Sequence, residues 1–403
     1  LRSVLVVGAG LAGLRACETL RQQGFEGSVQ LVGSEDHLPY DRPPLSKQVL
    51  AGSWEPERCL LKAPGDLEAL GIELDLGSRA ESLDLGARSV MFNDGRELGF
   101  DGLVIATGAN ARELRGISGR PAVLSLRSLE DALALRAVIA RPGAHLVVAG
   151  AGLIGLEVAA TARGRGAKVT VVDPCAVPLE QAVGPDVGRT CEWMHRGHGV
   201  DLRLETKIEG IDTGLHGRSG LRCRLDDGSV VEADALLVAV GVAPATSWLE
   251  SSGLELSNGG VVCDASLTAA PRVVAAGDLA RWPQAQSGEL VGVEHRTNAA
   301  EQGEHAAKSL LAGDGPRARF APVPYFWSDQ YGHKIQVLGS LQGATETVVV
   351  DGSLEELSFV VVFGRSGRFV GALGFGRPRV LMAYMPLLQA GASFAEALAL
   401  TPA

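Results

Sequence analysis

Two side chains in this sequence stand where their chemical type needs a reason. Glu157 interrupts an otherwise apolar helical run, "GLIGLEVAA", and a carboxylate placed there needs a partner or a task. The plainer alternative is a first-turn acid facing the helix dipole. Lys47 closes the stretch "YDRPPLSK". Pro39, Pro43 and Pro44 fix the local backbone there and can aim Arg42 and Lys47 at a defined point. A cation held that way stabilises negative charge on a bound group, whereas an undirected lysine is only solvated surface. The six cysteines (17, 59, 175, 191, 223, 263) form neither C-x-x-C nor a zinc spacing. None lies between Tyr40 and Leu50, so no thiol pair is expected to carry electrons there. Cys17 reads as a small buried residue inside a helix. The eight histidines show no metal spacing, and no metal is expected.

The elements that must position these groups occur twice. "SVLVVGAGLAGLRACETLRQQG" is an apolar strand, a glycine turn and a helix, and "HLVVAGAGLIGLEVAATARGRG" repeats it about 142 positions later. Each is followed by a strand ending in an acid, "SVQLVGSE" and "KVTVVD". Strand, G-x-G-x-x-G, helix, strand and acid form the dinucleotide-binding unit. The first glycine makes the tight turn, the second lets the backbone approach a pyrophosphate, and the third lets helix and strand pack. The helix N-terminus then faces the phosphates. Glu35 stands 22 positions after Gly13, and Asp173 stands 18 after Gly155; both suit a ribose diol. One such motif also arises from packing alone. Two in full context predict two dinucleotides and electron transfer between them.

Two strands ending in "IATGA" and "LLVAVGVAP" read as crossovers between the nucleotide domains, and "VVAAGDLA" ends a strand in Gly-Asp at Asp278. That carboxylate suits a ribityl hydroxyl, although an isolated Asp is more often a helix cap. "LVGVEHRTNAAEQGEHAAKSLLAG" predicts an amphipathic helix with a glycine stop. From Ala321 onward, alternating strands and a final helix, "VLMAYMPLLQAG", predict an antiparallel sheet with a helix against it. The expected fold is α/β, with two Rossmann-like dinucleotide-binding domains plus a C-terminal α+β domain. The expected boundaries are 1–113 with 240–320, 114–239, and 321–403. At 403 residues the chain is long enough for that, and its composition, 46% hydrophobic and 21% charged, is that of a globular protein. A net charge of −10 argues against nucleic acid as the main partner. No apolar run reaches the length of a membrane span and no leader is visible, so a cytoplasmic protein is expected.

Taken together, "GAGLAG", "YDRPPLSK", "IATGA", "GAGLIGLE", "AAGDLA", "NAAEQG" and "PYFWSDQYG" resemble the FAD-dependent, NADH-dependent ferredoxin reductases of bacterial Rieske oxygenases and cytochromes P450. These are glutathione-reductase-like proteins without a redox disulfide. The resemblance spans nearly the whole chain. It implies FAD and NADH as cofactors, with hydride passing from nicotinamide to FAD and electrons leaving singly to a [2Fe–2S] ferredoxin. Residue by residue, it implies that Gly8, Gly10, Ala12 and Gly13 cradle the FAD pyrophosphate and that Glu35 holds its ribose. It brings Arg42, Lys47, Ala80, Thr107, Gly108, Arg127, Asp278, Glu294 and Trp327 to FAD. It gives Gly150, Gly152, Leu153, Ile154, Gly155, Asp173 and Gly241 to NADH. Glu157 is implied to face the nicotinamide amide and to pair with Lys47, the two serving as the catalytic residues.

The sequence departs from the family in two places. Arg296 stands where many members have Trp, and "PCAVPLEQ" after Asp173 lacks a basic residue often found there, which favours NADH over NADPH. An acidic ferredoxin would need a local basic patch, for which Arg296, Arg317, Arg319, Lys334, Arg377 and Arg379 are the candidates. A monomer or weak homodimer is expected. The rivals are an NADH oxidase or peroxidase on the same fold, which needs a thiol near Tyr40 to Leu50, and a binding flavoprotein like the apoptosis-inducing factor.

Overall fold

The computed structural model describes residues 1–213, 220–284 and 288–400. The chain divides into two compact units, one of Leu1–Asp41, Glu57–Asn110 and Ala243–Pro322, the other of Arg42–Pro56, Ala111–Val242 and Val323–Ala403.

In the first unit the β-branched run at the N-terminus makes the strand Ser3–Val7, buried at every position but its first. It runs parallel to Ser28–Val32 on one side and Gly102–Ile105 on the other, with Val6 opposite Leu31 and Val104. The six-stranded sheet has the order Thr268–Ala270, Val273–Ala275, Gly102–Ile105, Ser3–Val7, Ser28–Val32, Ile72–Asp75. Its first strand alone is antiparallel to its neighbour. Helix Leu11–Gln22 packs on helix Arg296–Ala312. The approach is close because Gly303 has no side chain; a Cβ there would lie 2.3 Å from the Ala12 carbonyl oxygen. Ala80–Asp84, Ser89–Phe92 and Glu97–Gly99 form a small separate sheet.

The second unit repeats the plan. His145–Ala149 runs parallel to Lys168–Val172 and Ala235–Val238, with Asp201–Arg203 and Val123–Leu124 outside them. Ile208–Thr213, Leu221–Leu225 and Val230–Ala233 form the small sheet. The C-terminal antiparallel sheet has the order Tyr325–Gln330, His333–Gly339, Arg368–Phe375, Ser358–Arg365, Glu346–Ser353. Its strands alternate. Ile335, Val337, Phe359, Val361, Leu373 and Phe375 join a core that also contains Leu146, Leu156 and Val169. Leu338, Val360, Val362 and Ala372 pack instead with Leu381, Tyr384 and Phe394. The fold is thus α/β, with two Rossmann-like sheets and a C-terminal α+β part.

Two expectations differ from the structure. Residues 42–56 belong with the second unit rather than the first nucleotide domain. Leu50 is fully buried in the second unit's core, and the Thr161 hydroxyl donates to the Ser46 carbonyl at 2.8 Å. The single helix expected near 380–391 is two, Pro378–Met382 and Met385–Ala390. Pro386, which has no N–H, opens the second of them. The helix Arg296–Ala312 stops at Gly313 with φ 57°, as its sequence predicts. No helix among the described residues is long and apolar enough to cross a membrane.

Candidate functional site

The two glycine turns are built alike. Gly8 has φ 118° and Gly150 φ 111°, and each abuts a neighbouring turn. A Cβ on Gly8 would lie 2.1 Å from the Ala106 carbonyl oxygen, and one on Gly150 would lie 2.4 Å from that of Ala239. Cβ atoms on Gly13 and Gly155 would each lie 2.0 Å from the carbonyl oxygen of the first glycine of their own motif. Gly10 and Gly152 are the N-caps, extended and without a side-chain cap, and nothing lies within 4 Å of the place where their Cβ would be. Each turn therefore offers uncapped N–H groups and open space at a helix N-terminus, which is what a pyrophosphate needs. Leu153 and Ile154 begin the second helix, and Ile154 is exposed.

The acids follow from the parallel sheets. Asp173 ends the strand beside His145–Ala149; its Oδ2 accepts from the Ala151 N–H at 2.6 Å and its Oδ1 from the Cys175 N–H at 2.8 Å. One carboxylate thus braces the glycine turn and keeps lone pairs for a ribose. Glu35 is half-buried, and the Tyr40 hydroxyl donates to its Oε2 at 2.5 Å. In the first unit the Thr107 hydroxyl donates to the Ala245 carbonyl at 2.8 Å, and Gly108 turns with φ 68°. In the second unit the exposed Gly241 turns with φ 93°, and its carbonyl accepts from the Arg112 N–H at 3.0 Å.

Gly277 and Asp278 end the strand Val273–Ala275, and a Cβ on Gly277 would lie 3.2 Å from the Ala12 Cβ, at the first cradle. Gln302 is fully buried. Its Oε1 accepts from the Gly277 N–H at 2.7 Å, while its Nε2 has no hydrogen-bond partner among the described residues. A buried donor beside the cradle fits a polar cofactor. "NAAEQG" therefore supplies two functions, the packing glycine Gly303 and the turn-holding Gln302.

The prolines at 43 and 44 open a short 3-10 helix, Pro43–Ser46. It carries Lys47 to Glu157. The Lys47 ammonium lies 2.6 Å from Glu157 Oε2, with the two side chains 12% and 3% exposed. Ser46 Oγ donates to the same oxygen at 2.5 Å, and Ser328 Oγ donates to Oε1 at 2.7 Å. Glu157 is not a first-turn acid of helix Leu153–Gly164, so the dipole does not explain it; three groups of the second unit, Lys47, Ser46 and Ser328, do. Arg42 donates to the Arg127 carbonyl, and the Arg127 N–H donates to Asp131 Oδ2 at 2.7 Å. That acid also closes the capping box of helix Leu129–Ile139 with Ser128.

Other predicted residues stand apart from these clusters. Trp327 lies on strand Tyr325–Gln330 one position before Ser328, hence on its opposite face, stacked on Tyr325 with Lys334 Nζ 5.7 Å above its ring. Ala80 starts a strand of the small sheet. Glu294 is exposed, with Arg281 3.8 Å away. Of the basic candidates, Arg296 is held by both oxygens of Asp41 at 2.7 and 2.9 Å. Lys334 pairs with Asp329 at 3.1 Å, Arg377 lies 3.5 Å from Asp351, and Arg317 donates to the Gly313 carbonyl. Arg319 and Arg379 are exposed.

None of the six cysteines is bonded to another. Burial pushes Cys191 and Cys223 up to about 12, and burial with Asp173 pushes Cys175 up to about 11, so these are poor nucleophiles. No cluster among the described residues could hold a metal ion.

A family model described as pyridine nucleotide-disulphide oxidoreductase matches residues 2–303, and one described as reductase C-terminal matches residues 325–403. Putidaredoxin reductase CamA of Pseudomonas putida is 35% identical over 380 residues, covering 93% of this chain and 89% of that protein. The biphenyl dioxygenase system ferredoxin–NAD(+) reductase component of Paraburkholderia xenovorans (strain LB400) is 36% identical over 349 residues, covering 86% and 83%. The crystal structure of the covalent putidaredoxin reductase–putidaredoxin complex matches with a TM-score of 0.91 at 33% identity, over 97% of this chain and 93% of that one. The chain belongs to the pyridine nucleotide-disulphide oxidoreductase family and, within it, to the FAD-dependent NADH:ferredoxin reductases.

Proposed function

We propose that this protein moves electrons from NADH to a [2Fe–2S] ferredoxin that serves an oxygenase or a cytochrome P450. The observation that carries this is the duplicated cradle, two glycine turns with open helix N-termini, one in each unit. Gly8, Gly10, Ala12, Gly13, Glu35 and Asp278 would hold FAD, together with Thr107, Gly108, Arg42, Arg127, Ala80, Glu294 and Trp327. Gly150, Gly152, Leu153, Ile154, Gly155, Asp173 and Gly241 would hold NADH. When bound, FAD supplies the exchange between a two-electron donor and a one-electron acceptor. Lys47 would stabilise negative charge on the bound ring, and Glu157 would orient both Lys47 and the nicotinamide amide.

The protein acts in this reading as a cytoplasmic monomer or weak homodimer. Its ferredoxin docks by local positive charge. Because Arg296, Lys334 and Arg377 face carboxylates, the exposed Arg319 of the first unit and the exposed Arg379 of the second are, each within its own unit, the candidates for that attraction. The test is NADH-driven reduction of a purified [2Fe–2S] ferredoxin, compared with ferricyanide, over a range of salt. Ferredoxin reduction should slow with salt while ferricyanide turnover hardly changes. Parallel changes would reject the basic docking surface. Oxygen consumption without need of ferredoxin would point to an NADH oxidase, and negligible turnover with either acceptor to a binding flavoprotein.

A further inference from the structure

Beyond Lys47 and Ser46, the Glu157 carboxylate is the end of a longer chain of buried polar side chains in the second unit. Ser328 Oγ lies 2.7 Å from Glu157 Oε1, Gln330 Nε2 lies 3.0 Å from Ser328 Oγ, and His195 Nε2 lies 2.8 Å from Gln330 Oε1. The Tyr331 hydroxyl lies 3.2 Å from His195 Nδ1. Ser328, Gln330 and His195 are 0, 1 and 0% exposed. Tyr331 is half-buried and stacked on the exposed His198 at 3.7 Å, so the chain reaches from Glu157 to the surface.

The direction of every bond follows from its neighbours. A carboxylate only accepts, so Ser328 donates to Glu157. The Ser328 oxygen then accepts from the Gln330 amide nitrogen, which leaves the Gln330 oxygen to accept from His195 Nε2–H. His195 Nδ1 is then bare and accepts from Tyr331. All four bonds point the same way, toward the acid. We propose that Ser328, Gln330 and His195 are positioning residues that hold the Glu157 carboxylate, and through it the Lys47 ammonium, in one orientation. This rests on the assignment of Glu157 and Lys47 to the nicotinamide–flavin step. The chain is not a proton path, because the Gln330 carboxamide cannot take up a proton and pass another on at ordinary pH. Its effect is geometric. Glu157 has free χ angles, and helix Leu153–Gly164 alone does not decide where its oxygens lie; Ser328, on a strand of the C-terminal sheet, fixes one of them and Ser46 the other. Helix Pro185–Gly197, which carries His195, closes the chain from the far side.

The experiment is anaerobic stopped-flow reduction of the FAD-loaded protein by NADH, in wild type and in Ser328→Ala, Glu157→Gln and the double variant. Ser328→Ala should slow the limiting reduction rate about tenfold, as a small misplacement of a reacting geometry does, and leave flavin content and the dissociation constant of NADH within about twofold. In the Glu157→Gln background the same change should add less than about twofold, because it acts through a group already altered. Gln330→Leu, which cuts the chain one link further out, provides the same cycle if Ser328→Ala does not fold, with a smaller slowing. Equal slowing in both backgrounds, or none in wild type while Glu157→Gln is slow, would overturn the positioning role and leave the assignment of Glu157 intact. An unchanged rate in Glu157→Gln would overturn both.

Discussion

The Lys47–Glu157 pair is a buried ion pair of the second unit. Its charges are 2.6 Å apart and nearly excluded from water, so removing one partner leaves an uncompensated buried charge. Glu157→Ala should leave FAD bound, weaken NADH binding and slow reduction of the bound flavin on the order of 10²-fold, the scale of a lost positioning contact; anaerobic stopped-flow checks all three. An unchanged rate would make the pair merely structural. Asp173 is the second residue to test. It accepts two backbone N–H bonds, and no Arg or Lys follows it from 174 to 181, so NADH should be favoured strongly over NADPH. Asp173→Asn, with one acceptor oxygen instead of two, should raise the KM for NADH and narrow that preference, measured as the ratio of kcat/KM values. An unchanged ratio would mean that the carboxylate only braces the turn. Both residues were legible in the sequence. An acid inside "GLIGLEVAA" and an acid closing a βαβ unit are rare enough to signal. Ser46, Ser328, Gln330 and Tyr40 were not, because small polar residues occur in every loop and strand, and only the fold tells which of them face a carboxylate.

At the scale of elements the glycine turns are separable by mutation, since each lies in its own unit. A Cβ at Gly155 would lie 2.0 Å from the Gly150 carbonyl oxygen, and one at Gly13 would lie 2.0 Å from that of Gly8. Neither neighbour is a flexible side chain that can yield, so helix and strand must move apart. Gly155→Ala should therefore abolish or greatly weaken NADH binding while the purified protein keeps about one FAD per chain. Gly13→Ala should lose the FAD itself. Flavin absorbance after gel filtration, with calorimetric titration of NADH, distinguishes the two. Loss of FAD from Gly155→Ala would mean that the turns are not independent. The strand–turn–helix units were the most legible part of the fold, because buried parallel strands are continuous apolar runs and their turns leave a glycine spacing. The placement of residues 42–56 was not legible. Nothing local in "RPPLSKQVL" says that Leu50 completes the other unit's core; that is a tertiary choice. The break before Met385 follows from Pro386, which has no N–H and sits inside a long apolar run.

Over the whole molecule, stability should depend on pH through histidines held neutral inside the fold. Burial lowers His195 to about 4 and His295 to about 4, the latter partly offset by Asp278, from an ordinary 6.5. His145 and His305 are lowered by burial too. An unfolded chain takes up these protons near pH 6.5, whereas in the folded chain His195 and His295 resist until about pH 4 and His145 and His305 also hold out below 6.5. Between those values the unfolded state binds more protons, so stability is full above about pH 6.5 and is lost as pH falls toward 4. For a histidine shifted this far the loss between pH 7 and 5 is roughly 2 kcal/mol. Glu301 works in the opposite direction, since burial raises it and the folded state then gains a proton first; one such acid cannot cancel four histidines. Asp75 and Asp264 are lowered below the ordinary carboxylate value, and their contribution disappears only at still lower pH. His195 lies in the second unit and His295 in the first, so both units should weaken together. The check is the urea midpoint of the FAD-loaded protein from pH 7.5 to 5, read by flavin fluorescence and by far-ultraviolet dichroism. Both midpoints should fall steadily below about pH 6.5, and His195→Gln should flatten the part of the profile that belongs to the second unit. Midpoints that stay level down to pH 5 would mean that these rings take protons without unfolding, and that the chain from Tyr331 to Glu157 does not keep His195 as the neutral Nε2–H tautomer its neighbours require.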